Sequence, residues 1–315
     1  MTPEEIRRAI TDTGAVAVGF AEAGPVDPEV SAQFSRWLAG GMHAGMEWLV
    51  RHEELRKDPR NLLPGTQTVI CAAYPYFQPR RRAPGLPQIS MYAYGKDYHD
   101  VIRKRLRPVC RRMEEATGCA TRICVDSAPI PERYWALRAG IGLLGDNGTV
   151  IIDGYGSFVF LCEILTTLRL PPDPPSRRRC SHCGRCRDAC PGHAILPDAT
   201  LCSTRCMSYL TIEHDGELPQ TTARSLYGCD ICQTVCPHNS VADPTLILPE
   251  FLPSHPSVLT LTARQAREMT GPEWDTFTAG TAMRRSRRLM PRNARHLPPD
   301  DLSPHGDIIP IPHRG

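Results

Sequence analysis

The stretches Cys180-Ser-His-Cys183-Gly-Arg-Cys186-Arg-Asp-Ala-Cys190-Pro and Cys229-Asp-Ile-Cys232-Gln-Thr-Val-Cys236-Pro decide the fold of the second half of this chain. The first stretch is C-x2-C-x2-C-x3-C-P, the pattern of bacterial ferredoxins, in which the fourth cysteine binds the other of two clusters. The second stretch ends in the same way but has one cysteine fewer. Its missing ligand is therefore expected between the two stretches, at Cys202 or Cys206.

The spacing predicts a ferredoxin-like domain with two [4Fe–4S] clusters, because C-x2-C turns let a short loop wrap a cluster with its thiolates pointing inward. The ligands of the first cluster are then Cys180, Cys183, Cys186 and Cys236. Those of the second are Cys190, Cys229, Cys232 and the missing cysteine. Zinc sites more often use separated cysteine pairs, and disulfides would suit a secreted chain, so both alternatives are disfavoured.

The composition limits the cellular setting and the kind of partner. Fourteen cysteines without a secretion signal indicate a reducing cytoplasm, where thiolates hold metal. The apolar runs are too short to span a membrane, so no membrane association is expected. A net charge of +3 means that nucleic-acid binding would need local basic patches. Three arginine runs could supply them, at residues 80–82, 177–179 and 284–288, although such runs are often only solvated surface.

The region before the cysteines alternates helices with short strands, which predicts an α/β sandwich over residues 1–170. Residues 149–152 and 157–161 could form a hairpin or two adjacent strands turned at Asp153-Gly154. Pro171-Pro-Asp-Pro-Pro175 is expected to be a stiff linker. The cluster domain would occupy residues 176–245, with a helix from residue 201 to 212. A basic tail, residues 246–315, would carry one clear helix at 263–269 and end in a poorly ordered stretch.

Asp126 is the first candidate for chemistry in this region. It follows an apolar strand, at the edge of an α/β sheet that usually faces a cleft, where a partly desolvated carboxyl can act as a general acid. A turn-capping role for an Asp-Ser-Ala-Pro sequence is the alternative. Gly140-Ile-Gly-Leu-Leu-Gly145 matches a dinucleotide-binding pattern only superficially, because a helix and not a strand is expected before it.

Several motifs in one order give this chain a family resemblance. They are Leu63-Pro-Gly65, Tyr94-Gly-Lys-Asp-Tyr-His99, Val125-Asp-Ser-Ala128, Ala139-Gly-Ile-Gly142, Tyr155-Gly-Ser-Phe-Val-Phe-Leu161, Cys206-Met-Ser-Tyr-Leu-Thr-Ile-Glu213, Tyr227-Gly-Cys-Asp230 and Arg292-Asn-Ala294. Together with the first cysteine stretch, this set resembles the epoxyqueuosine reductases over nearly everything from Phe34 to Ala294. That family reduces epoxyqueuosine at the tRNA wobble position to queuosine, using cobalamin and two [4Fe–4S] clusters.

The resemblance implies an α+β protein, with a nitroreductase-like cobalamin domain at residues 1–170 followed by the ferredoxin-like domain. It favours Cys206 as the missing ligand, which leaves Cys202 as an extra thiol, and it makes Asp126 the proton donor. The expected cobalamin contacts are Arg56, Ser90, Tyr98, Asp126 and Asp230. Electrons would come from a low-potential donor such as ferredoxin or flavodoxin and pass through the clusters to cobalamin. A monomer is the default expectation.

Some residues depart from the family pattern. Asp146-Asn147 stands where the family commonly has Lys-Asn, which reverses a charge near the expected corrin site. Two other functions stay open, and Asp146 suggests the first of them. One is a related corrinoid and iron–sulfur reductase of a small molecule, and the other is an electron-transfer partner without chemistry of its own.

Overall fold

The computed structural model describes residues 1–177, 179–219 and 224–300. Arg178 of the second arginine run and residues 301–315 of the expected tail lie outside this part. The chain forms two compact units, one of Met1–Pro75 with His99–His182, the other of Tyr76–Tyr98 with the chain from Cys183 onward. Among the described residues, no helix is both long and apolar enough to cross a membrane.

The strands are short except for two that lie side by side in one sheet. In chain order they are β1 (Ala17–Glu22), β2 (Thr68–Pro75), β3 (Gln88–Ile89), β4 (Thr121–Cys124), β5 (Leu143–Leu144), β6 (Val150–Ile151), β7 (Val159–Thr166) and β8 (Ser225–Tyr227).

The helices are mostly short, and the longest, α5, has five turns' worth of residues. In chain order they are α1 (Pro3–Thr11), α2 (Pro28–Ala39), α3 (Glu47–Arg51), α4 (Glu53–Arg56), α5 (Tyr98–Thr117), α6 (Glu132–Arg138), α7 (Arg185–Asp188), α8 (Met207–Ile212), α9 (Ile231–Thr234), α10 (Ser257–Thr260), α11 (Ala263–Glu268), α12 (Gly271–Thr278) and α13 (Met290–Arg295). The 3-10 segments are Pro59–Asn61, Met91–Ala93, Ser203–Arg205, Pro237–Val241, Pro244–Leu246, Pro249–Phe251 and Ala282–Leu289.

The first unit is built on an antiparallel sheet in the order β1-β2-β7-β4. Every residue of β2 is buried, so both faces of this strand are covered. On one face, Trp135 and Ala136 of α6 and the following Ala139 pack into the same apolar cluster as Val69 and Cys71 of β2. Helices and an antiparallel sheet in one chain confirm the predicted α+β class.

The predicted hairpin of residues 149–161 is wrong. Strand β6 pairs with β5, and β7 lies between β2 and β4 in the main sheet. An isolated bridge between Ile152 and Gly156 closes the turn between the two expected strands. The reason is the length of β7: an eight-residue strand that is largely apolar buries most surface in the middle of a sheet, where it has a neighbour on each side.

The proline-rich segment 171–175 lies against the first unit. Asp173 accepts hydrogen bonds from Arg7 Nη2 at 2.9 and 3.0 Å and from the backbone N–H of Phe20 at 2.8 Å. Its own N–H donates to the Phe20 carbonyl at 2.8 Å. A Cβ at Gly140, whose φ is +72°, would lie 2.4 Å from the Pro174 carbonyl oxygen. The segment 171–175 is therefore fixed to the first unit by hydrogen bonds and close packing, and it is not a free linker.

The second unit contains a two-stranded parallel sheet of β3 and β8. Asn293 of α13 is fully buried and donates from Nδ2 to Thr211 O at 2.8 Å and to Leu226 O at 3.0 Å, which fixes α13 to α8 and β8. Arg82 is also buried and donates to the carbonyl oxygens of Pro87, Val258 and Leu261. Arg82 was expected on a basic surface, but it is buried and connects its own loop to the segment of residues 258–261.

Two expectations about helices in this unit need correction. The predicted helix over 201–212 is interrupted at Cys206, whose backbone is extended (φ −77°, ψ 124°), and only α8 after it is α-helical. Extended backbone at this point turns the thiol out of the helix. The stretch after residue 246 carries α10 to α13 where one helix was expected, and it buries Trp274, Met283 and Met290 completely. Their burial explains why this stretch folds.

The docking of the proline segment can be tested at Gly140. We expect Gly140→Ala to destabilise the protein by about 1–3 kcal/mol more than Gly154→Ala, because its Cβ would meet a carbonyl oxygen as well as a positive φ. Gly154 has φ +76° but open space around it, so Gly154→Ala isolates the cost of the positive φ, about 1–2 kcal/mol. Thermal unfolding should report the difference as a lower Tm. Equal Tm values for the two variants would mean that Pro174 does not press on this glycine.

Candidate functional site

The predicted cluster ligands are all free thiols in the structure. Two C-x2-C turns carry short helices, α7 across Cys186 and α9 across Cys232. Gly184, between Cys183 and Cys186, has φ +76°, a value that a tight turn requires and that glycine adopts without strain. The backbone N–H of Ala194 donates to Cys190 Sγ at 3.3 Å, the kind of bond that stabilises a thiolate.

The structure brings together four thiols of the second unit. Burial is the main cause that raises the pKa of Cys229 to about 12, and the charges of Asp230, Cys206 and Cys190 raise it further. Burial likewise raises the pKa of Cys232, and Cys229, Cys206 and Cys190 add to this effect. Cys202 instead shares a hydrogen bond of 3.1 Å with Thr204. Thiolates this close together repel one another. Bound iron removes the thiol protons and compensates the negative charge, so this group of thiols fits a polynuclear iron site.

Asp230 and Ser90 are also close together. Ser90 Oγ donates to Asp230 Oδ1, and the Met91 N–H donates to Asp230 Oδ2 at 2.7 Å. Burial raises the pKa of Asp230, and these two hydrogen bonds act in the opposite direction. Tyr98, at the start of α5, is buried and lies edge-on to Tyr92 with ring centroids 6.0 Å apart. These three predicted contacts thus all belong to the second unit.

Asp126 lies just after β4 and is the first exposed residue beyond the buried Val125. Its side chain is 58% exposed, so the partial desolvation expected from the sequence is not present in this structure. His99 Nε2 lies 3.2 Å from Asp126 Oδ2, and the His99 side chain is only 4% exposed. A carboxyl at the surface with one buried imidazole partner is positioned to exchange a proton with a molecule that covers it.

The backbone of Asp126 is held in an unusual conformation. Its φ is +54°, which costs about 1–2 kcal/mol for a residue other than glycine. Its N–H donates to Glu132 Oε1 at 2.6 Å, across the loop of residues 125–131, here called the acid loop. A hydrogen bond between neutral groups contributes about 0.5–1.5 kcal/mol. The Glu132 bond therefore offsets a large part of the strain at Asp126.

Arg56 reaches the acid loop from α4. Its Nη1 donates to the Ile130 carbonyl at 3.2 Å, and its guanidinium carbon lies 5.5 Å from the centroid of the Trp48 ring. Burial lowers the pKa of Arg56, while the charges of Glu132 and Asp126 raise it. Its buried Nε has no hydrogen-bond partner among the described residues. Arg56 therefore joins Asp126 in one site and retains a donor for a bound group.

Sequence reasoning singled out neither Glu132 nor His99 as functional. Both are polar residues near Asp126 in the chain or in a quoted motif, but nothing in their spacing indicates that they contact it. Burial raises the pKa of Glu132 to about 8, the charge of Asp126 adds to this rise, and Arg133 and Arg56 oppose it. A carboxyl that titrates near neutral pH beside a candidate acid is typical of a functional site.

Asp146, the residue that departs from the family pattern, contacts the first cysteine stretch. Its Oδ1 lies 2.8 Å from His182 Nδ1, and single ligand atoms of Asp146, Cys180 and His182 all lie within 4.8 Å of one another. His182 has φ +50°, so this turn is held in a specific shape. The carboxylate is therefore next to an expected cluster ligand.

Family models match both parts of the chain. Residues 56–127 match the model described as epoxyqueuosine reductase QueG, DUF1730, and residues 179–239 match a 4Fe-4S double cluster binding domain. The second match confirms the prediction of two [4Fe–4S] clusters, and its span contains the eight expected ligand cysteines.

Curated relatives and solved structures give the same family. The epoxyqueuosine reductase of Gloeobacter violaceus is 37% identical over 99% of this chain and 99% of its own length. That of Vibrio cholerae is 38% identical over 72% of this chain and 66% of its own length. An epoxyqueuosine reductase crystallised with an epoxyqueuosine-modified tRNA-Tyr stem loop superposes with a TM-score of 0.83 at 28% identity, over 93% of this chain and 80% of that one.

A further structure is that of the Bacillus subtilis enzyme, with its catalytic aspartate loop described as swung out of the active site. It superposes with a TM-score of 0.82 at 27% identity, over 93% of this chain and 80% of that one. Identity of 37% over nearly the whole length of a curated relative is decisive. This chain belongs to the epoxyqueuosine reductase family.

Proposed function

We propose that this chain reduces epoxyqueuosine to queuosine in tRNA, with Asp126 as the general acid. The observation that carries the proposal is the acid loop, in a chain that belongs to this family. Asp126 is exposed at the end of a buried strand, with its N–H bonded to Glu132 and its carboxyl next to His99. An exposed acid on an anchored loop suits a large substrate that covers it on binding.

Asp126 would protonate the epoxide oxygen as it leaves. The oxygen departs as water and a carbon–carbon double bond forms, so each turnover consumes two electrons and two protons. The epoxide oxygen becomes a much better leaving group when a carboxyl donates a proton to it in the transition state. His99 would orient the Asp126 carboxyl, because its buried ring has a fixed position 3.2 Å away.

The residues expected around cobalamin fit such a group. Arg56 retains a buried donor without a partner in the described part of the chain, and the Ser90–Asp230 pair offers polar atoms beside the second cysteine stretch. When bound, cobalamin would supply a reduced cobalt centre able to deliver electrons to the substrate carbon. Ser90, Asp230 and Tyr98 would position it, and Arg56 would bind a polar group at its edge.

The eight cysteines would hold the clusters through which electrons arrive. We assign Cys180, Cys183, Cys186 and Cys236 to one cluster, and Cys190, Cys206, Cys229 and Cys232 to the other. The electrostatic contact among the last four thiols supports this division. A low-potential donor such as ferredoxin or flavodoxin would supply the electrons. We also propose a monomer that acts in the cytoplasm, where its tRNA substrate is found.

The tRNA would be bound partly by the arginines of residues 284–288. Arg284 and Arg285 are exposed and both contact Asp97 Oδ2, at 3.1 and 3.2 Å, while the Asp97 side chain is only 2% exposed. A buried carboxylate thus orders two guanidinium groups at the surface, which lowers the entropy that they lose on binding phosphate. Arg80 and Arg81 are exposed and could contribute, whereas Arg82 is buried.

The reaction and its acid can be tested together. The enzyme is loaded anaerobically with iron, sulfide and cobalamin, reduced, and incubated with epoxyqueuosine-containing tRNA, and nucleosides are measured by mass spectrometry. We expect queuosine from the wild type and a loss of about 10²–10⁴-fold in kcat for Asp126→Asn, the usual contribution of a general acid. Asp198→Asn, at an exposed turn, should retain full activity.

Full cofactor loading without queuosine would contradict the tRNA reaction and favour a small-molecule reductase, for which the Asp146 carboxylate is the motivating feature. Failure to bind cobalamin would favour an electron-transfer partner. Equal activity of Asp126→Asn and wild type would remove Asp126 as the acid.

The fourth ligand of the second cluster is tested by comparing two serine variants. Cys206→Ser should lose about four of the eight iron atoms expected for two [4Fe–4S] clusters, because one thiolate of a four-cysteine site is missing. Cys202→Ser is the matched control and should keep all of them. Iron and sulfide analysis with electron paramagnetic resonance of the reduced protein gives the count. The reverse pattern would assign the ligand to Cys202.

The arginine surface is tested by Arg284→Ala and Arg285→Ala, each of which leaves one arginine on Asp97. We expect each variant to raise the KM for tRNA with little change in kcat, and to reduce the salt dependence of tRNA binding by about one phosphate contact. Arg264→Ala, at an exposed arginine outside the runs, is the control. An unchanged salt slope in both variants would exclude these arginines from the tRNA surface.

A further inference from the structure

The anchoring of the acid loop depends on one side chain of the next helix. Glu132, the first residue of α6, accepts the Asp126 N–H at 2.6 Å. We propose that Glu132 is a positioning residue of this reaction, whose carboxyl group holds the acid loop in the conformation that presents Asp126 to the substrate. The proposal rests on the proposed function, because it assumes that Asp126 is the acid.

The other contacts of the loop involve different atoms. Arg103 Nη2 donates to the Val125 carbonyl at 3.3 Å and to Ser127 Oγ at 2.7 Å, so it fixes the two residues that flank Asp126. The Ile130 carbonyl accepts from Arg56. The Glu132 bond reaches the backbone N–H of Asp126 itself, at the residue with φ +54°. Without this bond, the strained backbone conformation at Asp126 loses part of its stabilisation.

Glu132 itself is rigidly placed. It stands one turn before Trp135 and Ala136, which are 1% and 0% exposed and pack α6 against the sheet. The side chain leaves this fixed point and spans back over the loop to residue 126. The buried Val125 and Ile130 hold the two ends of the loop, and polar bonds hold the residues between them, so residues 126–129 can move while α6 stays in place. An experiment can therefore distinguish a role of Glu132 in positioning the loop from a role in stabilising α6.

A glutamine at this position should preserve the anchor. The amide oxygen of Glu132→Gln accepts the same N–H with nearly the same geometry as the oxygen of a neutral carboxyl. Glu132→Ala removes the acceptor. Glu163→Gln is the matched control: Glu163 is a fully buried carboxyl on β7, close enough for the charges of Glu132 and Asp126 to raise its pKa. Its two oxygens have no hydrogen-bond partner in the described residues, so it does not tie the loop.

Hydrogen exchange of the cofactor-loaded enzyme, followed by mass spectrometry, measures the loop directly. We expect peptides covering residues 125–131 to exchange about fivefold faster or more in Glu132→Ala, the factor that corresponds to one lost neutral hydrogen bond. Glu132→Gln should stay within about threefold of the wild type, and Glu163→Gln should not accelerate exchange. Peptides of α6 should be unchanged in all three variants.

Turnover supplies the second readout. Glu132→Ala should lower kcat by about 10-fold or more and leave the KM for tRNA unchanged, because the acid is misplaced while the tRNA surface is intact. Glu132→Gln should recover most of the kcat. Unchanged loop exchange in Glu132→Ala would overturn the proposal. So would equal loosening of α6, or a glutamine variant that behaves like alanine in both measurements. If the wild type forms no queuosine, the proposed function fails, and the exchange data alone then decide the anchor.

Discussion

The antiparallel pairing of β7 with β4 is the interaction on which the candidate active site depends. It sets Cys124 opposite Glu163 and ends one residue before Val125, so the chain leaves the sheet directly at the acid loop. Strand β7 pairs with β2 on its other side, and β2 is buried along its whole length. A one-residue change of register would turn every side chain of β4 to the opposite face and move the acid with it. The pairing of β4 with the interior strand β7 thus fixes the position of Asp126.

Buried polar groups near this sheet and in the second unit separate into two kinds. Arg82 and Asn293 have their hydrogen bonds satisfied by carbonyl oxygens, and they connect segments that are distant in the chain. Glu163 is different, since burial raises its pKa well above the ordinary value and so favours the neutral carboxyl. A neutral carboxyl is much less costly to bury than a carboxylate. The first kind stabilises the fold, and the second places a titratable group behind the active site.

The cysteine domain follows a different physical rule. Its helices α7 and α9 are single turns, too short to be stable alone, and the thiols that they carry repel one another once they lose their protons. The positive charge of bound iron compensates the charges of the thiolates, so metal binding is coupled to folding. The extended backbone at Cys206, between a 3-10 turn and α8, directs one further thiol toward this group. Local structure here serves the ligand geometry.

The sequence by itself determined the two-cluster domain, the α+β class and the family, because ligand spacing is a local property and ordered motifs are preserved in the chain. It also indicated Asp126, which directly follows a recognisable strand. Only the tertiary structure decided that Glu132 and His99 meet Asp126, that β7 lies inside the sheet, and that Arg82 is buried. These facts depend on contacts between residues far apart in the chain, or on a side chain reaching back over a loop. Periodicity records which residues share a face of one element, but it carries no information about which elements meet.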